Sequence, residues 1–153
     1  MSGIQRVYVD TSVYGGYFDK EFAEWTIKFF HEVDQGKFKL VISPLVTWEL
    51  RKSPLHVRKL YLKYAQNTEL IKIGSEPKQL ALSYLNRKVV GKSSKNDCLH
   101  IAVASIAKMD VLVSWNFKHI VNVDRIKGYN LVNKEFGYFD LEIRTPGEVL
   151  HYE

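Results

Sequence analysis

Apolar positions in this chain follow two periods. Short runs of Val, Ile, Leu and aromatic residues alternate with longer segments in which apolar residues recur every three or four positions. The first run, IQRVYVDTS from Ile4 to Ser12, contains Val7, Tyr8 and Val9 and reads as a strand buried on at least one face, stopping at Asp10. The passage after it, VYGGYFDKEF, reads as turn-rich, with Gly15 and Gly16 relaxing the backbone. From Phe22 to Val33 the spacing of Phe22, Trp25, Ile27, Phe29, Phe30 and Val33 predicts a helix that ends near Gly36. FKLVI, Phe38 to Ile42, is a second strand. Ser43-Pro44 then opens a helix, with the hydroxyl as N-cap and proline at the first position, and that helix stops before Pro54.

A third helix is expected from about Leu55 to Gln66, a short strand from Glu69 to Ile73, and a helix from Ser75 to about Lys88. The polar patch GKSSKND leads into CLHIAVASIA, Cys98 to Ala107, which is apolar nearly all round and therefore belongs inside. Val111 to Ser114 is a strong strand, and Leu141 to Arg144 a last one before Thr145-Pro146-Gly147; the passage between them, NFKHIVNVDRIKGYNLVNKEFGY, carries no assigned element. Strands alternate with helices throughout, without internal repeats or long linkers. The expected class is α/β, a three-layer α/β/α sandwich with a central, mostly parallel sheet, as one domain over residues 1–153.

Composition narrows this picture without redirecting it. A hydrophobic share of 46% and an aromatic share of 13% fit a folded core and exclude a disordered chain. The single cysteine, Cys98, excludes an intramolecular disulfide and a cysteine-based zinc site. No signal-peptide-like run or membrane span is visible, so a cytoplasmic protein is expected. Lys and Arg (22) exceed Asp and Glu (17), giving +5, a weak tilt towards a polyanionic partner.

Three acidic residues hold informative places. Asp10 ends the first strand, Glu49 lies on the helix after the second, and Asp97 stands in the first turn of the apolar helix. In a parallel sheet, strand C-termini and the starts of the following helices share one edge, so the three can meet there. Clustered carboxylates repel unless a cation intervenes, and hard oxygen ligands suit Mg²⁺ or Mn²⁺. Each acid also has a structural alternative: Asp10 as a cap of the following turn or helix, Asp97 in a capping box with Ser94, and Glu49 paired with Lys52 on the surface. Haloacid dehalogenase-like phosphatases need a second Asp where Ser12 stands, and receiver domains an acidic pair where Val9-Asp10 offers one acid. Neither class fits. His100, one turn after Asp97, can reach the site, although a helix histidine among apolar neighbours is more often a packing residue. The aromatics Trp25, Phe29, Phe30, Tyr61 and Tyr64 read as core or as an oligomer interface.

The ordered set VYVDTS, PLVTWEL, SKNDCLHIAVA and VLVSWNFKHI resembles the PIN domain, and within it the VapC-like toxin branch, over most of the chain from about Val7 to Ile143. The resemblance implies an α/β/α fold and a divalent-metal-dependent ribonuclease, with Mg²⁺ or Mn²⁺ as cofactor. It also implies RNA as substrate, a separately encoded antitoxin as partner, and a homodimer, with no membrane association. It matches Asp10, Glu49 and Asp97 to the family's acidic metal ligands, and Ser12 to the hydroxyl residue that follows the first acid. The fourth position departs from the pattern, because Asn116 stands where the family commonly has Asp. Asparagine offers a neutral oxygen and can orient a water but adds no negative charge. A second metal ion is thereby put in doubt, while one-metal chemistry on Asp10, Glu49 and Asp97, with Asn116 as the fourth catalytic position, is retained. Lys118 and His119 follow Asn116 and can contact a phosphate, and Arg51, Lys52, Lys92 and Lys95 can form a basic rim. The alternative function is a catalytically impaired PIN-like module that acts by binding RNA or protein.

Overall fold

Strand β1 (Gln5–Val9) forms the middle of the sheet, and its Val7, Tyr8 and Val9 are fully buried. In this computed structural model, which describes residues 3–150, β1 pairs in parallel with β2 (Phe38–Ile42) on one side and with β4 (Val111–Val113) on the other. Strand β3 (Glu69–Leu70) extends the sheet beyond β2, and β5 (Ile143–Arg144) extends it beyond β4. The order is β3-β2-β1-β4-β5, every pairing is parallel, and helices cover both faces. This is the α/β/α sandwich that the alternation of strands and helices predicts. The first two residues and residues 151–153, the ends of the expected 1–153 span, lie outside the described residues.

Parallel neighbours need long crossovers, which helices supply. These are α1 (Thr11–Gly16), α2 (Ala23–Asp34), α3 (Pro44–Leu50), α4 (Leu55–Ala65), α5 (Ser75–Asn86), α6 (Lys95–Ile106), α7 (Val123–Glu135) and α8 (Pro146–Val149). Helices α5, α6 and α7 pack together, while α2 packs on α1, β2 and α8. Helix α6 is buried along Cys98 to Ser105, as its all-round apolar character requires. No helix among the described residues is long and apolar enough to cross a membrane.

Four helices close alike. After α2, α5, α6 and α7 the chain takes a left-handed residue, Gly36, Lys88, Lys108 and Gly137 respectively. For α5, Lys88 N donates to Leu85 O at 3.0 Å and Val89 N to Tyr84 O at 3.1 Å; for α6, Lys108 N donates to Ser105 O and Met109 N to Ala104 O, both at 3.1 Å. These paired backward bonds satisfy the last carbonyls of each helix.

Several elements differ from expectation: the last strand begins at Ile143 rather than Leu141, the short helix α8 follows it, and three further differences concern α1, α7 and β3. The Gly15-Gly16 passage is helix α1, and Gly16 serves close packing: a Cβ there would lie 2.6 Å from Cδ1 of Trp115. The unassigned tail contains α7, whose buried positions are Tyr129, Val132 and a polar Asn133, so no apolar stripe marks it. Strand β3 is two residues long because its partner β2 ends at Ile42, opposite Leu70, with a last bond from Ile71 N to Ile42 O at 2.9 Å. Of the aromatics read as core or interface, Phe29, Phe30 and Tyr64 are buried in the core, while Tyr61 is partly buried against it.

Candidate active site

The chain runs from β1 outward to β2 and β3, then crosses to β4 on the other side of β1. The C-terminal edge between β1 and β4 is therefore the point at which the winding reverses, where α/β sheets open a crevice. Asp10 stands there, 5% exposed, its backbone N–H donating to Val113 O at 3.0 Å. It occupies the N-cap position of α1 but makes no side-chain cap bond. Instead, Ser12 Oγ donates to Asp10 Oδ2 at 2.6 Å and Ser114 Oγ to the same oxygen at 2.8 Å. Asp10 Oδ1 takes no hydrogen bond from the described residues and lies 3.6 Å from His100 Nε2.

Glu49 reaches this edge from α3. It does not pair with Lys52: its Oε1 accepts from Thr11 Oγ1 at 2.5 Å and from His100 Nε2 at 2.8 Å. Burial works against its charge, but the bond and positive charge of His100, with the Thr11 bond, outweigh burial and hold the Glu49 carboxyl below its ordinary value. His100 comes from α6 and is 1% exposed. Its Nδ1 lies 2.7 Å from the Tyr8 hydroxyl, which lies 2.7 Å from Ser43 Oγ. Because Nε2 faces carboxylate oxygens, it carries the proton. Burial opposes the imidazolium, yet the Glu49 bond and the charges of Asp10, Glu49 and Asp97 raise the pKa of His100 overall. His100 is thus a packing residue in its burial and a site residue in its contacts. Ser43 stands at the N-cap position of α3 without capping it, its hydroxyl being committed to Tyr8.

Ligating atoms of Asp10, Glu49 and His100 lie within 4.8 Å of one another. Asp97 does not join that three-way group, but it faces the same charges. Burial first, then repulsion from Asp10 and Glu49, pushes its carboxyl up to about 6 against the pull of His100 and Asn116. The capping box with Ser94 does not form, because Ser94 makes no side-chain cap bond. Asn116 Nδ2 donates to Asp97 Oδ1 at 3.3 Å, while Asn116 Oδ1 accepts from the His119 backbone N–H at 3.0 Å. Lys118 is exposed beside it. Ser12 is a link in the wall: besides binding Asp10, its Oγ accepts from Trp115 N at 2.9 Å.

Among the described residues, Asp10 Oδ1, Glu49 Oε2 and Asp97 Oδ2 accept no hydrogen bond, whereas both ring nitrogens of His100 are engaged. That donor set, three carboxylate oxygens without a thiolate or a free imidazole, fits a hard divalent ion such as Mg²⁺ or Mn²⁺. Sequence reasoning named the acids but not Thr11 and Ser114, which bind Glu49 and Asp10, nor Tyr8, which holds His100. Ser114 had the one usable signal, a hydroxyl directly after a buried strand.

No family model matches the sequence, and no curated protein matches it. Among solved structures, the chain is similar to the crystal structure of VapBC2 from Rickettsia felis bound to a DNA fragment from their promoter. The two are 16% identical over 92% of this chain and 98% of that one, with a TM-score of 0.58. The likeness is one of fold, and that fold is the PIN-like α/β/α sandwich.

Proposed function

We infer that this chain is a divalent-metal-dependent ribonuclease, hydrolysing RNA phosphodiester bonds as the toxin of a VapC-like toxin-antitoxin pair. The observation that carries this reading is the gathering of Asp10 and Glu49, with Asp97 in electrostatic contact, at the reversal of the sheet. Asp10, Glu49 and Asp97 would hold Mg²⁺ or Mn²⁺, which supplies charge to a phosphoryl oxygen and acidifies a water. Ser12 and Ser114 fix one oxygen of Asp10, so the other is presented inward. Thr11 and His100 hold Glu49 ionised and oriented, and Asn116 steadies Asp97. Lys118 and His119, next to Asn116, are assigned to substrate phosphate. An antitoxin, a homodimer and a cytoplasmic location belong to the same reading, and the similar fold of VapBC2 supports a search for the antitoxin.

Asp10→Asn and Asp97→Asn should each lower Mn²⁺-dependent RNA cleavage by about 10²-fold or more, since each removes charge from the metal shell. Cleavage by either folded variant at the parental rate would sink the reading. One observation favours the catalytically impaired binding module instead: both ends of the Asn116 amide are used within the protein. Asn116→Asp separates the two. Metal-dependent cleavage gained by this variant and absent from the parent identifies the parent as a binder.

A further inference from the structure

Away from the carboxylate centre, one cavity has a composition that the fold alone does not require. A pocket of about 400 Å³ opens between the end of α5 and helix α7; it is edged by Lys88, Lys92 and Arg125 over a floor of Leu85 and Val90. None of the three cations forms an ion pair among the described residues. Arg125 is half-buried; its Nη1 donates to Val89 O at 2.6 Å, and its buried Nε has no acceptor. Three like charges around one concavity repel unless an anion or water screens them.

Local structure builds the pocket. Lys88 is the left-handed residue that ends α5, a position where glycine is less strained, and the turn sends Val89 towards α7. Gly128 admits Val89 so closely that a Cβ there would lie 2.7 Å from Val89 Cγ1. Arg125, one turn earlier on α7, is thereby brought onto the Val89 carbonyl. Lys92 begins the 3₁₀ turn Lys92–Ser94, which runs directly into α6 and Asp97.

The pocket is also tied to the carboxylate centre. One turn after Arg125, Tyr129 Oη donates to His119 O at 2.8 Å; His119 N donates to Asn116 Oδ1 at 3.0 Å, and Asn116 Nδ2 to Asp97 Oδ1 at 3.3 Å. Three hydrogen bonds therefore connect the helix that carries Arg125 to the acid. His119 has a lowered pKa, from burial first and then from the charges of Lys118 and Arg125, so Arg125 acts electrostatically on this path.

We propose that the Lys88–Lys92–Arg125 pocket is a phosphate subsite for an RNA strand, holding a backbone phosphate away from the bond that lies at the carboxylate centre. This rests on the ribonuclease reading and adds to it a footprint for the strand. A planar guanidinium and two ammonium groups suit a phosphodiester, and such contacts fix register without reading base sequence.

The test uses Lys88→Gly, Lys92→Gln and Arg125→Gln, singly and together, with circular dichroism to check folding. Binding of a short fluorescein-labelled single-stranded RNA is followed by anisotropy in EDTA across a salt series. The triple variant should bind about tenfold more weakly or worse, and its salt dependence should flatten by about 2 in log–log slope, from three contacts on a single strand. Lys88→Gly alone should weaken RNA binding while leaving the protein as stable or more so, an outcome that a purely structural lysine would not give. The two lysine variants keep the test decisive should Arg125→Gln fail to fold. With Mn²⁺, the variants should raise KM for RNA and leave kcat unchanged. Parental affinity and slope in the variants, with a wild type that binds and cleaves RNA, would overturn the subsite and leave the ribonuclease reading standing. Pocket-dependent RNA binding without any cleavage would support the subsite and overturn the nuclease. Retention of a glutamate-rich peptide through these three residues, with RNA indifferent to them, would overturn the subsite in favour of an acidic protein partner.

Discussion

Asp97 and His100 make the metal-free site a weak point whose cost depends on pH. Asp97 titrates at 3.8 when unfolded and about 6 when folded, so between those values the folded state holds the extra proton and stability falls as pH rises. His100 acts in the same direction: its folded pKa lies above 6.5, so its contribution is complete below 6.5 and is lost as pH rises through the folded value. Glu49 acts oppositely. Held below 4.5, it contributes above that value, and the contribution is lost only as pH falls through the folded pKa. Metal-free protein should therefore be more stable to urea at about pH 5 than at about pH 8. Asp97→Asn should flatten that slope and stabilise the metal-free protein near neutrality by about 1 kcal/mol, after allowance for partial exposure. A destabilised Asp97→Asn at neutral pH would show that the repulsion from Asp10 and Glu49 is already relieved.

At the scale of elements, the helix ends invite a simple comparison. Lys108 and Gly137 occupy equivalent left-handed positions after α6 and α7, with φ of 57° and 84°. A lysine there is strained by about 1–2 kcal/mol, and glycine returns part of that gain through its freer unfolded chain. Lys108→Gly should raise stability by about 0.5–1 kcal/mol, measured by urea or thermal melting, whereas Gly137→Lys should lower it. The elements legible in the sequence were those with a one-sided or continuous apolar pattern, β1, β2, β4, α2 and α6, and those bounded by Pro, Gly or Ser signals, α3, α4 and α5, with β3 and β5 found as shorter strands. Helix α7 was not, because its inward face is completed by Asn133, which accepts from Tyr84 Oη at 2.5 Å and donates to Ser105 Oγ at 3.0 Å. Helix α1 was hidden by Gly15-Gly16, which signals a turn until Trp115 is known to lie against Gly16. The same division runs through the site. Asp10, Glu49 and Asp97 could be named because each sits beside a readable strand or helix start; the contacts of Tyr8, Ser114 and His100 depend on which strands become neighbours, and no local pattern encodes that.

For the whole molecule, a ligand that binds only the folded state raises its stability by mass action. Mn²⁺ at about a hundred times its Kd should add about 2.7 kcal/mol to the unfolding free energy, and calorimetry should find the effect absent in Asp10→Asn. An equal rise in that variant would move the ion away from the Asp10 centre.

Strand β1 precedes the other strands of the sheet in the chain, yet its two neighbours arrive at residues 38–42 and 111–113. Its buried edge on the β4 side consequently waits for most of the chain to be translated, and such distant pairings form late. Asp10, Glu49 and Asp97 have all emerged by then, but Asp10 still lacks the Ser114 hydroxyl and Asp97 the Asn116 amide. Under the nuclease reading, the carboxylate centre is therefore completed only after β4 has joined the sheet and Asn116 has met Asp97. A chain that stops short of β4 should accumulate as an inert fragment.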